Sequence, residues 1–342
     1  MSDRNDESPS ARRVRRLREL GRGNQLERVN TAVRQVWEQP GGLRPSRIRL
    51  RSGFLLAAEA GGRAAPMSRL IASRGVALRF YLLAVFDAQC RPPSGEPWRN
   101  IRPVTGQMGW EDLIAIDAAY SRPASGYQLP TRQNRTLSSS RIRQVKAALQ
   151  KLEQLGDQAL VEIPRKGNGT DRNYDGFLLM KESGQGELPT PNYYTAPDPG
   201  LGVIHIPSQF FLNGWVQVLY PSEIATWLTL RFLGSRFPRS HNESGVFLYG
   251  QPRETVFHLL RDTYEDGCRS LLEFRLIRRA PPMRPAAEGE PGPIDWARLF
   301  MTSEKVDENG KIWYKPNRYQ LTDWGLNSSA YAVTMTSLHA RR

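Results

Sequence analysis

Only two cysteines, Cys90 and Cys268, occur in 342 residues, and no histidine or further cysteine clusters with either. That excludes a disulfide framework and argues against a structural zinc site, so neither metal nor cofactor is expected. Histidine is also scarce, with His205, His241, His258 and His339. No His-apolar-His pair accompanies a tyrosine, so metal-dependent strand nicking is not expected. No G-x-x-x-x-G-K-[ST] loop is present to cradle a nucleotide triphosphate. No run of about 18 apolar residues exists, so a membrane span is not expected. The start, MSDRNDESPS, lacks an apolar signal core, which fits a cytoplasmic protein. Lysine is sparse too, at seven of the 48 basic residues, the rest being arginine. The most local absence is of acids, with none from Arg132 through Gln150.

What is abundant is positive charge. The formal net charge of +14 points to a polyanionic partner, nucleic acid first and an anionic membrane surface second. A merely basic protein is the plain alternative. Half of the surplus lies in residues 1–63, where 14 arginines face seven acids. Arg12, Arg13, Arg15, Arg16 and Arg18 fall within seven residues. Residues 1–66 are therefore expected to be a basic N-terminal arm, partly disordered, that tracks phosphates or enters a minor groove. A solvated tail is the bland alternative for residues 1–22. Within the arm, residues 24–37 suit a short helix, and the alternation in RIRLR suits a strand.

At roughly 150 residues per domain the length suggests two domains, and 39% hydrophobic residues suffice for two cores. The first unit is expected over 67–183. A nearly all-apolar stretch from Ser68 to Phe86 predicts a core helix, and residues 105–116 predict a short second helix with Trp110, Leu113, Ile114 and Ile116 inward. A polar loop follows. In SSSRIRQVKAALQKLEQL (138–155), Ile142, Val145, Leu149 and Leu152 recur at helical spacing. Arg141, Gln144, Lys151 and Gln154 are expected on the opposite face, flanked by Arg143 and Lys146. LVEIP, the loop RKGNGTDRNYD and GFLLMKE then read as strand, basic turn and strand. Three helices followed by a hairpin are the order of a winged helix-turn-helix.

Residues 184–202, with four Pro and four Gly, are expected to be a linker. The second unit is expected over 203–325, with a strand at VIHIP, helices starting near Pro221, Gln251 and Asp262, and a hairpin from LIRRA to NRYQL. A tail would occupy 326–342. The local match of Leu149-x-x-Leu152 with Leu271-x-x-Phe274 suggests one supersecondary unit used twice. The expected fold class is α+β, mainly α, with two winged helix-turn-helix domains in tandem behind a basic N-terminal extension.

The stretch IHIPSQFFLNGWVQVLYPSEIATWLTLRFL, with RDTYEDGCRSLLEFRLI after it, resembles the winged-helix domain of bacterial plasmid replication initiators. SRIRQVKAALQKLEQLG with LVEI resembles the same kind of domain. The resemblance implies binding of double-stranded DNA across adjacent groove segments, at short repeated sites. A transcription regulator and a winged-helix scaffold for a protein complex are the alternatives. A homodimer or a replication or transcription protein is a further possible partner.

Such docking makes Ser139, Ser140, Arg141, Arg143 and Gln144 the candidates for reading bases, because Arg matches guanine O6 and N7 and Gln matches adenine N6 and N7. Arg135 and Lys146 are expected on phosphates, with Arg165, Lys166 and Arg172 in the wing. An ordinary solvated helix face and a plain hairpin turn are the competing readings. In the second unit, Glu265, Asp266 and Glu273 accompany Arg269 and Arg275. DNA contact there is expected through Arg278 and Arg279, with a protein interface as an equal alternative.

Overall fold

The structure is a computed structural model. It describes residues 8–71, 76–92, 98–115, 119–121, 126–128, 137–167, 169–185, 190–200, 202–281 and 317–340. The chain is mainly helical with small two-stranded sheets.

From Ser8 onward the N-terminal segment forms helices that pack into the fold, and residues 1–7 lie outside the described residues. Helix α1 spans Pro9–Gly21, with Pro9 in the first turn and Ser8 Oγ accepting from Ala11 N–H at 3.2 Å. Helix α2 spans Gln25–Glu38. Strand β1, Arg47–Arg51, buries Ile48 and Leu50 and turns its arginines outward. Its partner is β6, Val203–Pro207, in an antiparallel ribbon that sets Arg49 opposite His205. The expected arm is thus stitched to the start of the expected second unit.

The apolar stretch after Met67 forms two helices rather than one, α3 (Pro66–Ile71) and α4 (Ala77–Cys90). Of α4, only Ala88 is not buried, and the buried set includes Arg79, Asp87 and Gln89 beside its apolar residues. Among the described residues 105–115 no helix of eight or more residues forms, and Ile116 lies outside the described residues. Gly106 and Met108 take φ of +99° and +57°, which no right-handed helix tolerates, and only a 3₁₀ turn at Trp110–Leu113 remains. Trp110 still packs inward as expected, against Phe80 at 5.0 Å and Phe177 at 5.7 Å between centroids. Two segments of the expected polar loop, β2 (Ala119–Ser121) and β3 (Gly126–Gln128), pair with each other.

Helix α5, Leu137–Glu153, follows and packs on α4. Gly156, at φ +70°, turns the chain past its end. The short strands β4 (Val161–Glu162) and β5 (Leu178–Leu179) close the first hairpin, and Arg99 bridges to Leu178 on the outer side of β5.

In the second half, α6 (Gln209–Leu212) and α7 (Trp215–Val218) lead into α8, Pro221–Arg236, which Pro238 terminates by opening α9 (Pro238–Ser244). Helices α10 (Gly250–Thr255) and α11 (Arg261–Glu273) come next, and α11 packs on α8. Strand β7 (Ile277–Arg279) pairs with β8 (Tyr319–Leu321), and Val246 bridges to Tyr319. The two halves therefore share one order: long helix, bridging residue, short turn or helix, second long helix, hairpin. In each, the bridging residue pairs with the hairpin's second strand.

The expected tail contributes α12, Ala330–His339, which packs on α1 and α7. One continuous hydrophobic core runs through both halves. Phe86 of α4 stacks on Phe211 of α6 at 4.6 Å, and Phe210 stacks on Trp227 of α8 at 4.6 Å. Each such aromatic contributes about 1.5–3 kcal/mol by burial. No helix among the described residues is long and apolar enough to cross a membrane.

Candidate nucleic-acid interface

Helix α5 presents two faces whose centres differ from expectation. Val145, Ala148, Leu149, Leu152 and Leu155 are buried, and Ile142 packs against the same core. The outward stripe then holds Ser139, Arg143, Lys146, Ala147 and Lys151, all exposed. Ser140 is 2% exposed and unavailable to a partner. Arg141 is half-buried, and its Nη2 donates to Gln25 Oε1 of α2 at 3.4 Å. Its pKa is lowered, first by burial and then by nearby Arg28, against the opposing pull of Asp112 and Glu111. Gln144 is half-buried as well. The burial of Ser140 is a correction to the base-reading set, and Arg141 lines a cavity that it shares with α2, folded out of the expected arm. Arg135 lies outside the described residues.

The hairpin loop brings the other predicted cations to the same place. Lys146 of α5 and Arg165, Lys166 and Arg172 of the loop line a cleft of about 460 Å³, together with Asp171 and Tyr174. The turn is held by its own backbone. Lys166 N–H donates to Asp171 O at 2.8 Å, Arg165 bridges to Arg172, and Gly167 takes φ +53°. Arg165 Nη1 donates to Thr170 O at 2.8 Å. Lys146 Nζ sits 5.3 Å from the Tyr174 ring centroid, within cation–π range. Asp175, also on the cleft, accepts from Val104 N–H at 2.7 Å, which ties it to the scaffold.

Two residues outside the predicted set shape this site. Glu153 Oε2 accepts from Arg172 Nε at 3.1 Å while its Oε1 accepts from Ile163 N–H at 3.2 Å, so one carboxylate pins the hairpin to the end of α5. Tyr174 accepts from Gln150 Nε2 and supports Lys146. A signal for the true outward stripe exists in the sequence. Adding Ala148 and Leu155 to the apolar positions shifts the buried face and brings Arg143, Lys146 and Ala147 outward.

Compared with protein-family models, curated proteins and solved structures, the chain matches none.

Helix α11 has the same burial pattern as α5, with Tyr264, Gly267, Cys268, Leu271 and Phe274 buried at the spacings of Val145, Ala148, Leu149, Leu152 and Leu155. The register that aligns the halves thus pairs Leu152 with Leu271 and Leu155 with Phe274, one turn away from the sequence match. In that register Arg143, Lys146 and Ala147 correspond to Asp262, Glu265 and Asp266. All three acids are exposed, and Glu265 and Asp266 pair within α11 with Arg261 and Arg269 at 2.7 and 2.9 Å. The outward face that is purely basic on α5 is therefore mixed on α11, with two of its three acids balanced by arginines. Arg278 and Arg279 are exposed on β7, and Arg278 Nε donates to Gln320 Oε1 at 3.0 Å.

The five-arginine run divides by helical phase. Arg12 and Arg18 are exposed on α1 and Arg15 is half-buried, but Arg13 and Arg16 are 5% and 3% exposed. Arg13 forms a two-point ion pair with Glu223, and its guanidinium lies over Tyr220 and Phe274. Arg16 Nη1 donates to Val218 O at 2.8 Å and stacks over Tyr220. These two cations are structural and do not reach a phosphate, a correction to their reading as arm contacts.

Proposed function

We propose that the chain binds double-stranded DNA in a sequence-specific way and acts by binding rather than catalysis. The observation that carries this is the convergence of Lys146, Arg165, Lys166 and Arg172 on one cleft beside the acid-free outward face of α5. Helix α5 would enter the major groove, with Arg143 on a guanine and Ala147 against a thymine methyl. The cleft cations would hold phosphates of the flanking backbone, which position the helix without reading sequence. The shared element order of the two halves, each with a bridging residue on the hairpin's second strand, supports a tandem winged-helix architecture. That in turn supports a replication-initiator-like role for a plasmid or mobile element, at the nucleoid in the cytoplasm. Arrayed short repeats beside the gene would favour the initiator, and a single palindrome over a promoter would favour a transcription regulator.

The exposed Asp262, Glu265 and Asp266 of α11 favour a division of labour, with the first half reading DNA and the second docking a protein.

Selection of bound sequences from a random duplex library tests the reading. Arg143→Ala is expected to relax preference at one base at a cost of about 1–3 kcal/mol, and Lys166→Ala to weaken all sequences alike. Arg141→Ala is expected to leave sequence preference intact. Absence of duplex binding by the folded chain at about 100 mM salt would overturn the reading.

A further inference from the structure

We propose that the β1–β6 ribbon is a second contact for the DNA backbone, holding phosphate through Arg47 and Arg49 beside His205. The inference rests on the duplex-binding reading but on none of its residues. Arg47, Arg49 and Arg51 alternate with Ile48 and Leu50, both 0% exposed, so the three arginines share the ribbon's outer face. Arg51 has a structural task, since its Nη1 meets the fully buried Glu182 at 2.6 Å. Arg47 and Arg49 have none. Among the described residues no carboxylate pairs with either, and Arg47 is exposed and Arg49 half-exposed. As alternate residues of a strand, Arg47 and Arg49 have Cα atoms roughly 7 Å apart.

His205 lies across the ladder from Arg49, and Arg231 of α8 donates to the His205 carbonyl at 3.0 Å. Arg231 also pairs with Asp323. The named charges around the ring are therefore Arg47, Arg49 and Arg231 against the one carboxylate of Asp323. Asp323 is taken up by Arg231, so Arg47 and Arg49 remain as a surplus of positive charge on the ladder, the electrostatic complement of a phosphate chain. Glu182 follows β5 at the end away from the 163–177 loop, so the Arg51 contact sets the ribbon apart from the cleft. The two surfaces would bind different stretches of a long duplex.

The test uses the full chain, random-sequence duplexes of two lengths and a salt titration. Arg47→Ala/Arg49→Ala should weaken binding to the long duplex and make the slope of log affinity against log salt shallower by about two. It should leave the short duplex and the α5 sequence preference unchanged. Arg47→Lys/Arg49→Lys keeps the charge and should retain the wild-type slope. An unchanged slope in the alanine variant, or equal loss in the lysine variant, overturns the proposal. Loss of binding to anionic phospholipid vesicles with unchanged duplex binding also overturns it. The α5 reading fails separately, if Arg143→Ala/Lys146→Ala binds both duplexes as wild type does.

Discussion

Arg13 and Glu223 form a buried two-point ion pair between helices 210 residues apart in the chain. It joins α1 to the first turn of α8. The carboxylate also accepts from Tyr220 N–H at 2.8 Å. Burial alone would raise the Glu223 pKa, but the adjacent guanidinium outweighs it and holds it low, while the Arg13 pKa is raised. The pair stays charged, and the first helix is thereby committed to the second half of the fold.

Arg13→Ala leaves a buried carboxylate without its counter-ion, which is expected to destabilise the chain by about 3–5 kcal/mol. Arg12→Ala, on the exposed face of the same helix, is expected to stay within about 0.5 kcal/mol. Urea unfolding of the two variants checks this. Equal stabilities would mean that α1 is not held by the pair.

Gly267 is the close-approach point of α11 on α8. A Cβ there would collide with the Oγ1 and Cβ of Thr226. Alanine's helix propensity favours Gly267→Ala by about 1 kcal/mol, and overpacking opposes it by about 1–3 kcal/mol. Net destabilisation of up to about 2 kcal/mol is expected. The Thr226 hydroxyl is buried with no hydrogen-bond partner among the described residues, so Thr226→Ala should make room at little cost and rescue the variant. A double-mutant cycle by thermal unfolding measures the coupling, and additive effects would count against the steric account.

What was legible in the sequence was local. The alternation of Arg47 to Arg51 announced a strand, the mostly apolar run announced the buried α4, and the period of Val145, Leu149 and Leu152 announced α5. What was not legible depended on partners far along the chain. Nothing near Arg13 and Arg16 marks them as buried, because Glu223 and the Val218 carbonyl lie more than 200 residues away. The same holds for Arg141, whose guanidinium donates to Gln25 of α2, 116 residues away in the chain. The missing second helix was legible in principle, since Gly106 and Gly109 flank Met108 and permit the left-handed turn seen there. Lys146, Arg165, Lys166 and Arg172 share one cleft, while Ser140 turns into the core because the buried face of α5 is rotated from the one its sequence period suggested.

Glu153 is expected to set the pose of the hairpin. Glu153→Ala removes the acceptor for Ile163 N–H and the partner of Arg172, at about 1 kcal/mol of stability. Faster hydrogen exchange at the Ile163 amide and weaker duplex binding should appear together. Glu153→Gln keeps an acceptor oxygen and should protect that amide while releasing Arg172. An Ile163 amide that exchanges at the wild-type rate in Glu153→Ala would exclude this pinning role.

The ribbon carries a pH signature. The His205 pKa is lowered in the folded chain, first by burial and then by Arg47, Arg49 and Arg231. Below its ordinary value of about 6.5 the unfolded chain takes up a proton that the folded chain resists. Stability is therefore expected to fall as pH drops from 6.5 toward the lowered folded value, and to stop changing on this account below it. The decline should be shallow, because the ring is half-exposed and solvent screens the surrounding cations. His205→Asn removes the titrating group and should flatten this part of the curve, whereas Arg47→Ala/Arg49→Ala should move its lower end upward in pH. Chemical unfolding of the three chains between pH 7 and pH 5 reads both effects. A wild-type slope that His205→Asn leaves unchanged would assign the decline to other groups.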